Sequence, residues 1–249
     1  MGHLLCEKLS RMALVNAPHV QNQAWTELTS RIHNAATRVR REPTDVTLVG
    51  AAKTVAPEAL RTFVAAGLRV VGENYLQEGL AKQAALTDVP LRWHFIGGLQ
   101  SNKAKAALQF SLIHSMDRRS LVTALDKAAR ETDRVQDILL QVNLAAEPSK
   151  GGCAVAELPA LAALVAEADH LRLCGLMCLP PSSPIAENTR PCFRQLRELR
   201  DGLQREHPTC HELSMGMSHD FEIAIEEGAT LVRIGAALFG AREGKRSGL

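Results

Sequence analysis

The sequence predicts a single (β/α)8 barrel of the α/β class, and three observations lead there. Strand and helix signals alternate through about eight steps over roughly 200 residues, the pattern of parallel strands joined by helical crossovers. The 249 residues are a typical length for eight such units closed on themselves. Polar and glycine residues recur where the strands end, the edge at which such barrels gather function. A doubly wound open sheet is the competing arrangement. No GxGxxG follows an early strand, which weakens a dinucleotide-binding version of it.

A helix leads in from Gln23 to Arg41, with Trp25, Leu28, Ile32, Ala35, Ala36 and Val39 at helical spacing. The first strand covers Val46–Ala52. Pro57 then opens a helix to Ala66, and Gly67 closes it. Strand Arg69–Gly72 precedes helix Leu76–Leu86, and strand Leu91–Ile96 precedes helix Asn102–Gln109. Strand Leu112–Ser115 precedes helix Arg119–Glu131. Strand Asp137–Asn143 leads through a glycine-bearing loop, Ser149–Cys153, into helix Val155–Ala168. Strand Leu171–Met177 leads through the Pro/Ser-rich loop Leu179–Pro184 into helix Thr189–Glu206. Strand His211–Ser214, helix Asp220–Glu227 and strand Thr230–Ile234 complete the pattern.

Composition narrows the function classes. With 46% hydrophobic and 22% charged residues the chain reads as a soluble globular protein with a sizeable core. A net charge of +2, with no basic stripe interleaved with aromatics, gives nucleic-acid binding little support. The six cysteines, at 6, 153, 174, 178, 192 and 210, form no CxxC pair and no metal-ligand spacing. Cys174 and Cys178, four apart on one strand, read as small apolar packing. A reduced, cytoplasmic protein without a metal centre fits best. Glu7, Lys8 and Arg11 interrupt any secretory leader, and no stretch approaches the roughly 20 apolar residues that span a bilayer. Residues 1–22 read as a disordered extension, within which Met12 offers an alternative start. Residues 23–249 form the barrel domain.

The strand ends carry the chemistry. Lys53 follows the first strand, with only small residues before it. A primary amine there suits a Schiff base with an aldehyde, because partial burial lowers a lysine's pKa and frees the nucleophile. Lysines ending strands are more often simply solvated. After the last two strands, Ser214–Ser218 and Gly235-Ala236-Ala237 offer backbone N–H groups, hydroxyls and glycines that let a ligand approach. That is where such barrels often bind phosphate, although Gly216 and Gly235 would equally serve tight turns. Arg233 interrupts an apolar strand and shares its face with Leu231 and Gly235. Buried, it needs an acceptor, either a ligand or a carboxylate such as Glu73. Lys103 and Lys105 read as solvated or anion-binding, Lys150 as exposed, and His94 as a satisfied core histidine.

Together these stretches resemble the YggS/PROSC-type pyridoxal-phosphate (PLP) homeostasis proteins. The matching segments are LVGAAKT at 48–54, GENYLQE at 72–78, WHFIGGLQSNK at 93–103 and IHSMD at 113–117, followed by LQVN at 140–143, GLM at 175–177, LSMGMS at 213–218 and VRIGAALFGAR at 232–242. The resemblance implies a fold-type III PLP protein, a barrel similar to the N-terminal domain of alanine racemase without its C-terminal β domain. It implies covalent attachment of the cofactor at Lys53 and Arg233 against the pyridine nitrogen. Ser214, Gly216, Gly235 and Ala236 would surround the phosphate, and Asn74 would lie near the ring. Three positions depart from the family pattern. Ala236 replaces a Thr or Ser, Ala52 replaces a Ser, and Gly98 replaces a bulkier residue.

Three functions compete: a non-catalytic PLP carrier or regulator of vitamin B6 homeostasis, a PLP-dependent amino-acid racemase or related PLP enzyme, and a Schiff-base aldolase without PLP. Racemization needs a base on each face of the substrate carbanion. In the resembled racemases a tyrosine from a second domain supplies one of them. Only 15 residues follow Ile234, and the sole tyrosine, Tyr75, comes from another part of the chain. An arginine at the ring nitrogen makes a weaker electron sink than a carboxylate-paired one, which fits a carrier but is also compatible with a racemase, so the missing second base is what favours the carrier. An aldolase would leave the phosphate-like loops and Arg233 unexplained. The expectation is a monomeric PLP carrier, with PLP-dependent apoenzymes as recipients.

Overall fold

The structure, a computed structural model, describes residues 23–147 and 150–240. The expected 1–22 extension, and Arg242 of the last matching segment, lie outside the described residues. Eight parallel strands close into a barrel in sequence order: β1 (Thr47–Ala51), β2 (Val70–Glu73), β3 (Arg92–Phe95), β4 (Leu112–Met116), β5 (Gln136–Val142), β6 (Leu171–Cys178), β7 (Glu212–Ser214) and β8 (Leu231–Ile234). Pairing of β8 with β1, Arg233 opposite Val49, removes both sheet edges.

Helices α2 (Pro57–Ala66), α3 (Leu76–Ala85), α4 (Ala104–Ala107), α5 (Arg119–Arg130), α6 (Leu158–Ala166), α7 (Arg190–Gln204) and α8 (Phe221–Glu226) alternate with the strands around the outside. A leading helix, α1 (23–38), packs against α8, where Arg31 pairs with Glu222 at 3.0 Å and lies over the Phe221 ring. A one-turn helix, α9 (Ala236–Phe239), follows β8. α2 begins at Pro57, whose fixed φ suits the first turn. It ends at Gly67, whose φ of 126° lets its N–H reach back to the carbonyls of Phe63 and Val64.

Two apolar layers hold the barrel. The larger lies between helices and sheet. A smaller one fills the barrel itself and comprises Val49, Val70, Leu112, Leu139, Cys174, Met177 and Leu231. β6 carries one extra residue, Cys174, opposite the Ile138–Leu139 step of β5. Such a bulge shifts the alternation of side chains. Cys174 therefore belongs to the inner layer and Cys178 to the outer one, rather than sharing a face as their spacing suggests.

Several expected boundaries move. α1 stops at residue 38, and Arg40 turns left-handed (φ 57°) with the Arg41 N–H on the Ala36 carbonyl. Val39 is thereby exposed rather than part of the apolar stripe. The helix expected over 102–109 is a 3-10 turn, Ser101–Lys103, followed by the single α turn α4.

Candidate functional site

β1 ends at Ala51, and the next four residues build a turn that presents Lys53. The Ala52 N–H is held by the Gly72 carbonyl at 3.0 Å, and the Val55 N–H returns to the Ala52 carbonyl at 2.9 Å. Thr54, inside that turn, sits at φ 66°, a left-handed conformation costly for a β-branched residue. Lys53 is half-buried, and its Nζ lies 4.9 Å from the centroid of the Tyr75 ring, at the entry to α3.

The turn is pinned from beneath. Lys82 of α3 is buried, and its Nζ donates to the Ala52 carbonyl at 2.7 Å and to Glu73 Oε1 at 2.8 Å. Gly79, one turn earlier on α3, permits this approach, because a Cβ there would come within 2.6 Å of Phe110 and 3.2 Å of the Glu73 Cβ. Burial pushes the Glu73 carboxyl up from its ordinary pKa, while the Lys82 ammonium pulls it back. Glu73 is therefore the partner of Lys82, and the alternative of pairing it with Arg233 is ruled out.

Arg233 points inward and is fully enclosed. Its guanidinium donates to Ser214 Oγ at 2.6 Å and to the Cys178 carbonyl at 2.9 Å, both neutral acceptors. Burial lowers its pKa, opposed by the thiol of Cys178 and the carboxyl of Asp220. The Ser214 hydroxyl also meets His114 Nδ1 at 2.8 Å, and His114 Nε2 meets His94 Nδ1 at 3.0 Å. Burial pushes His94 down to about 3, with Arg92 adding repulsion. His114 falls well below its usual value through burial, then through His94 and Arg233. Both imidazoles are thus neutral near pH 7. Because an arginine only donates, satisfying every member directs the Ser214 proton to His114 Nδ1 and the His114 Nε2 proton to His94 Nδ1.

The loop after β7 meets the first turn of α9. The Ala237 N–H donates to Ser218 Oγ at 3.2 Å, and the Met217 N–H to Asp220 Oδ1 at 2.7 Å. Gly216 is required there: its φ is 88°, and a Cβ would come within 2.5 Å of the Ala224 Cβ. At Gly235 a Cβ would make only ordinary contacts, with the Ala51 backbone oxygen at 3.5 Å and the Ala51 Cβ at 3.7 Å, so glycine there relieves no clash. Ala236 is exposed. The Ser214 hydroxyl is buried between Arg233 and His114.

Asn74 is half-buried just beyond β2. Asn143 organises its own loop, donating to the carbonyls of Glu147 and Lys150 at 2.9 and 3.1 Å. Lys150 is half-buried rather than exposed. It donates to the Pro180 carbonyl at 2.6 Å and ties the loop after β5 to the loop after β6. Lys103 and Lys105 are exposed as expected, and Gly98 faces open space.

The barrel thus places a lysine amine after β1 and a buried guanidinium on β8, two strands that are direct neighbours. Small-residue loops follow β7 and β8. A buried cation with only neutral partners calls for an electron-rich acceptor. An aromatic ring nitrogen meets that need, and the small, accessible residues Gly235 and Ala236 after β8 suit a phosphate. The site therefore fits PLP. Lys82, His114 and the Cys178 carbonyl were not visible as site residues in the sequence. The one local signal was a lysine three residues after a glycine in α3, a pattern far too common to single out.

Comparison with known proteins agrees with this geometry. The family model of the alanine racemase N-terminal domain matches residues 27–243. The pyridoxal phosphate homeostasis protein of Aquifex aeolicus is 46% identical over 240 residues, covering 96% of this chain and 98% of that protein. A match of that length must run into residues 1–22, so part of the N-terminal segment is matched there. The protein of the same name from Pseudomonas aeruginosa is 47% identical over 218 residues, covering 87% and 94% of the two chains. Among solved structures, PipY of Synechococcus elongatus with PLP bound is 40% identical with a TM-score of 0.72, covering 85% of this chain and 99% of that one. The alanine racemase of Streptomyces coelicolor, at 20% identity and a TM-score of 0.68, shares the fold; the match covers 89% of this chain and 59% of that one.

Proposed function

The chain belongs to the family of the alanine racemase N-terminal domain and, within it, to the pyridoxal phosphate homeostasis proteins, and from that premise we propose that it holds PLP at the carboxyl mouth of its barrel as a carrier or regulator without turnover of its own. The observation that carries this reading is the pairing of a presented lysine with a buried, carboxylate-free arginine on adjoining strands. When bound, PLP supplies an aldehyde that condenses with a primary amine, a ring nitrogen and a phosphate.

Lys53 is the amine, and the pinned 52–55 turn fixes where it stands. Arg233 meets the ring nitrogen and keeps it unprotonated, because Ser214 and the Cys178 carbonyl leave the guanidinium its full charge. Gly216, Gly235 and Ala236 receive the phosphate through backbone N–H groups, and Asn74 stands beside the ring. Ser214 acts by orienting Arg233 rather than by touching the phosphate. A cation at the ring nitrogen weakens the cofactor as an electron sink, which fits storage and is also compatible with a racemase. The relatives' name points to the former. The recipients are PLP-dependent apoenzymes. All five described cysteines are free thiols, which supports a reducing compartment and hence the cytoplasm.

The test is the visible absorption of the purified protein with PLP, before and after borohydride, beside Lys53→Ala. A band that borohydride traps and the variant lacks supports the assignment, and no band in the wild type overturns it. Sustained racemization of an amino acid, lost in Lys53→Ala, would overturn the non-catalytic part.

A further inference from the structure

At the opposite mouth of the barrel, the amino ends of the strands surround a second cavity of about 420 Å³. Arg92 and His94, two residues apart on β3, share one face of that strand and both line it. The other charged groups in its wall are engaged. Arg172 holds Asp137 through two bonds of 2.6 and 2.8 Å, and Glu212 accepts from Thr230 and faces His211 at 3.4 Å. The Arg92 guanidinium has no protein acceptor among the described residues. His94 is 6% exposed, and with Nδ1 taken by His114 its Nε2 has no protein partner among them. The proton order along the buried chain makes that Nε2 a donor. A nearly buried N–H and an uncommitted guanidinium thus belong to one cavity that offers neither an acceptor.

We propose that this cavity is a second binding site, for a small carboxylate with a short apolar tail, linked to the cofactor site through His94, His114, Ser214 and Arg233. The carboxylate oxygens accept from Arg92 and His94. Asp137 and Glu212 in the wall disfavour a dianion, which selects a singly charged carboxylate over phosphate. Leu112, Leu231 and Cys174 supply the apolar wall for the tail. An acceptor on His94 Nε2–H strengthens the proton order already set along His94 and His114, and with it the hold of the Ser214 oxygen on Arg233. The linkage half of this proposal rests on PLP binding at the carboxyl mouth, and the site half does not.

The first arm titrates butyrate into PLP-free protein by calorimetry, with butyramide and inorganic phosphate as comparisons. Saturable butyrate binding, absent for butyramide and weakened ~tenfold or more in Arg92→Leu, supports the site. Arg92 is exposed, so leucine there leaves the core intact. No saturable butyrate heat, or phosphate binding as tight as butyrate, overturns it. The second arm repeats the titration on PLP-loaded protein. Butyrate and PLP should change each other's affinity by the same factor, and Ser214→Ala should abolish that factor while butyrate still binds. Butyrate binding with no mutual effect overturns the linkage. A protein that never shows a PLP band fails the cofactor reading alone, because the first arm still decides the site.

Discussion

The Lys82 ammonium lies 2.7 Å from the carbonyl oxygen of Ala52, the residue immediately before Lys53. That contact, with the 2.8 Å bond to Glu73, binds α3, β2 and the turn after β1 into one unit. The turn contains Thr54 at φ 66°, a conformation the surroundings must enforce. Replacing Lys82 by Met leaves the Glu73 carboxyl buried and uncompensated, with Oε2 already lacking a partner. Lys82→Met should therefore destabilise the protein by about 3 kcal/mol in urea unfolding. Adding Glu73→Gln should recover part of the loss. Lys82→Met as stable as wild type would mean the pair holds nothing in place.

Acid should weaken the fold through its core histidines. His94 stays neutral in the native state down to about pH 3, and His114 is depressed in the same direction, whereas both gain a proton near their ordinary value once unfolded. The unfolded chain then binds more protons below about pH 6.5, so stability is complete above that value and falls as pH drops toward 3. The slope should reach about 1.4 kcal/mol per pH unit for each histidine. Urea midpoints measured from pH 7.5 to 4.5 check this, and His94→Gln should flatten the curve. A flat wild-type profile would show that the imidazoles are accessible to water in the native state.

Sequence patterns reached as far as local rules reach. α2 runs from Pro57 to Ala66 with its glycine cap because proline and glycine act within one turn. Lys53 and Arg233 were legible because each breaks an apolar run at the end of a strand. The inward chain was not, since His94 and His114 are 20 residues apart, His114 and Ser214 are 100 apart, and only barrel closure brings them together. The bulges mattered as well. β4 slips register between Ile113 and Met116 and β6 gains Cys174, so simple alternation misassigns faces beyond those points. The sequence also left Arg233 with Glu73 as a candidate partner, because only the packing of α3 on β2 shows that Lys82 reaches that carboxylate.

Gly216→Ala should damage the loop after β7 more than its size suggests. The new methyl would come within 2.5 Å of the Ala224 Cβ and 2.9 Å of the Phe221 Cα, at a φ of 88° that L residues rarely adopt. Strain and overpacking together should cost about 2 kcal/mol. The displaced loop should also weaken PLP binding, read as a rise in the dissociation constant. Gly235→Ala meets nothing closer than 3.5 Å, so it should leave stability nearly unchanged while still obstructing the phosphate. Equal stability losses in the two variants would show that Gly235 is needed for the turn rather than for a ligand.

Arg233→Gln separates stability from function. In the wild type a fully enclosed guanidinium is held by two neutral acceptors and no carboxylate, an arrangement that costs the PLP-free protein free energy. Glutamine removes the charge and keeps an amide that can still donate to Ser214 or to the Cys178 carbonyl. The PLP-free variant should therefore unfold later, by about 1 kcal/mol, because an unpaired buried charge is replaced by a neutral group. PLP binding should move the other way. Losing a charge-assisted bond to the ring nitrogen is worth about 2 kcal/mol, or roughly thirtyfold in affinity. Borohydride should still trap PLP on Lys53, with the visible band displaced. A variant that loses stability and keeps its affinity would assign Arg233 to the barrel core and remove it from the cofactor site.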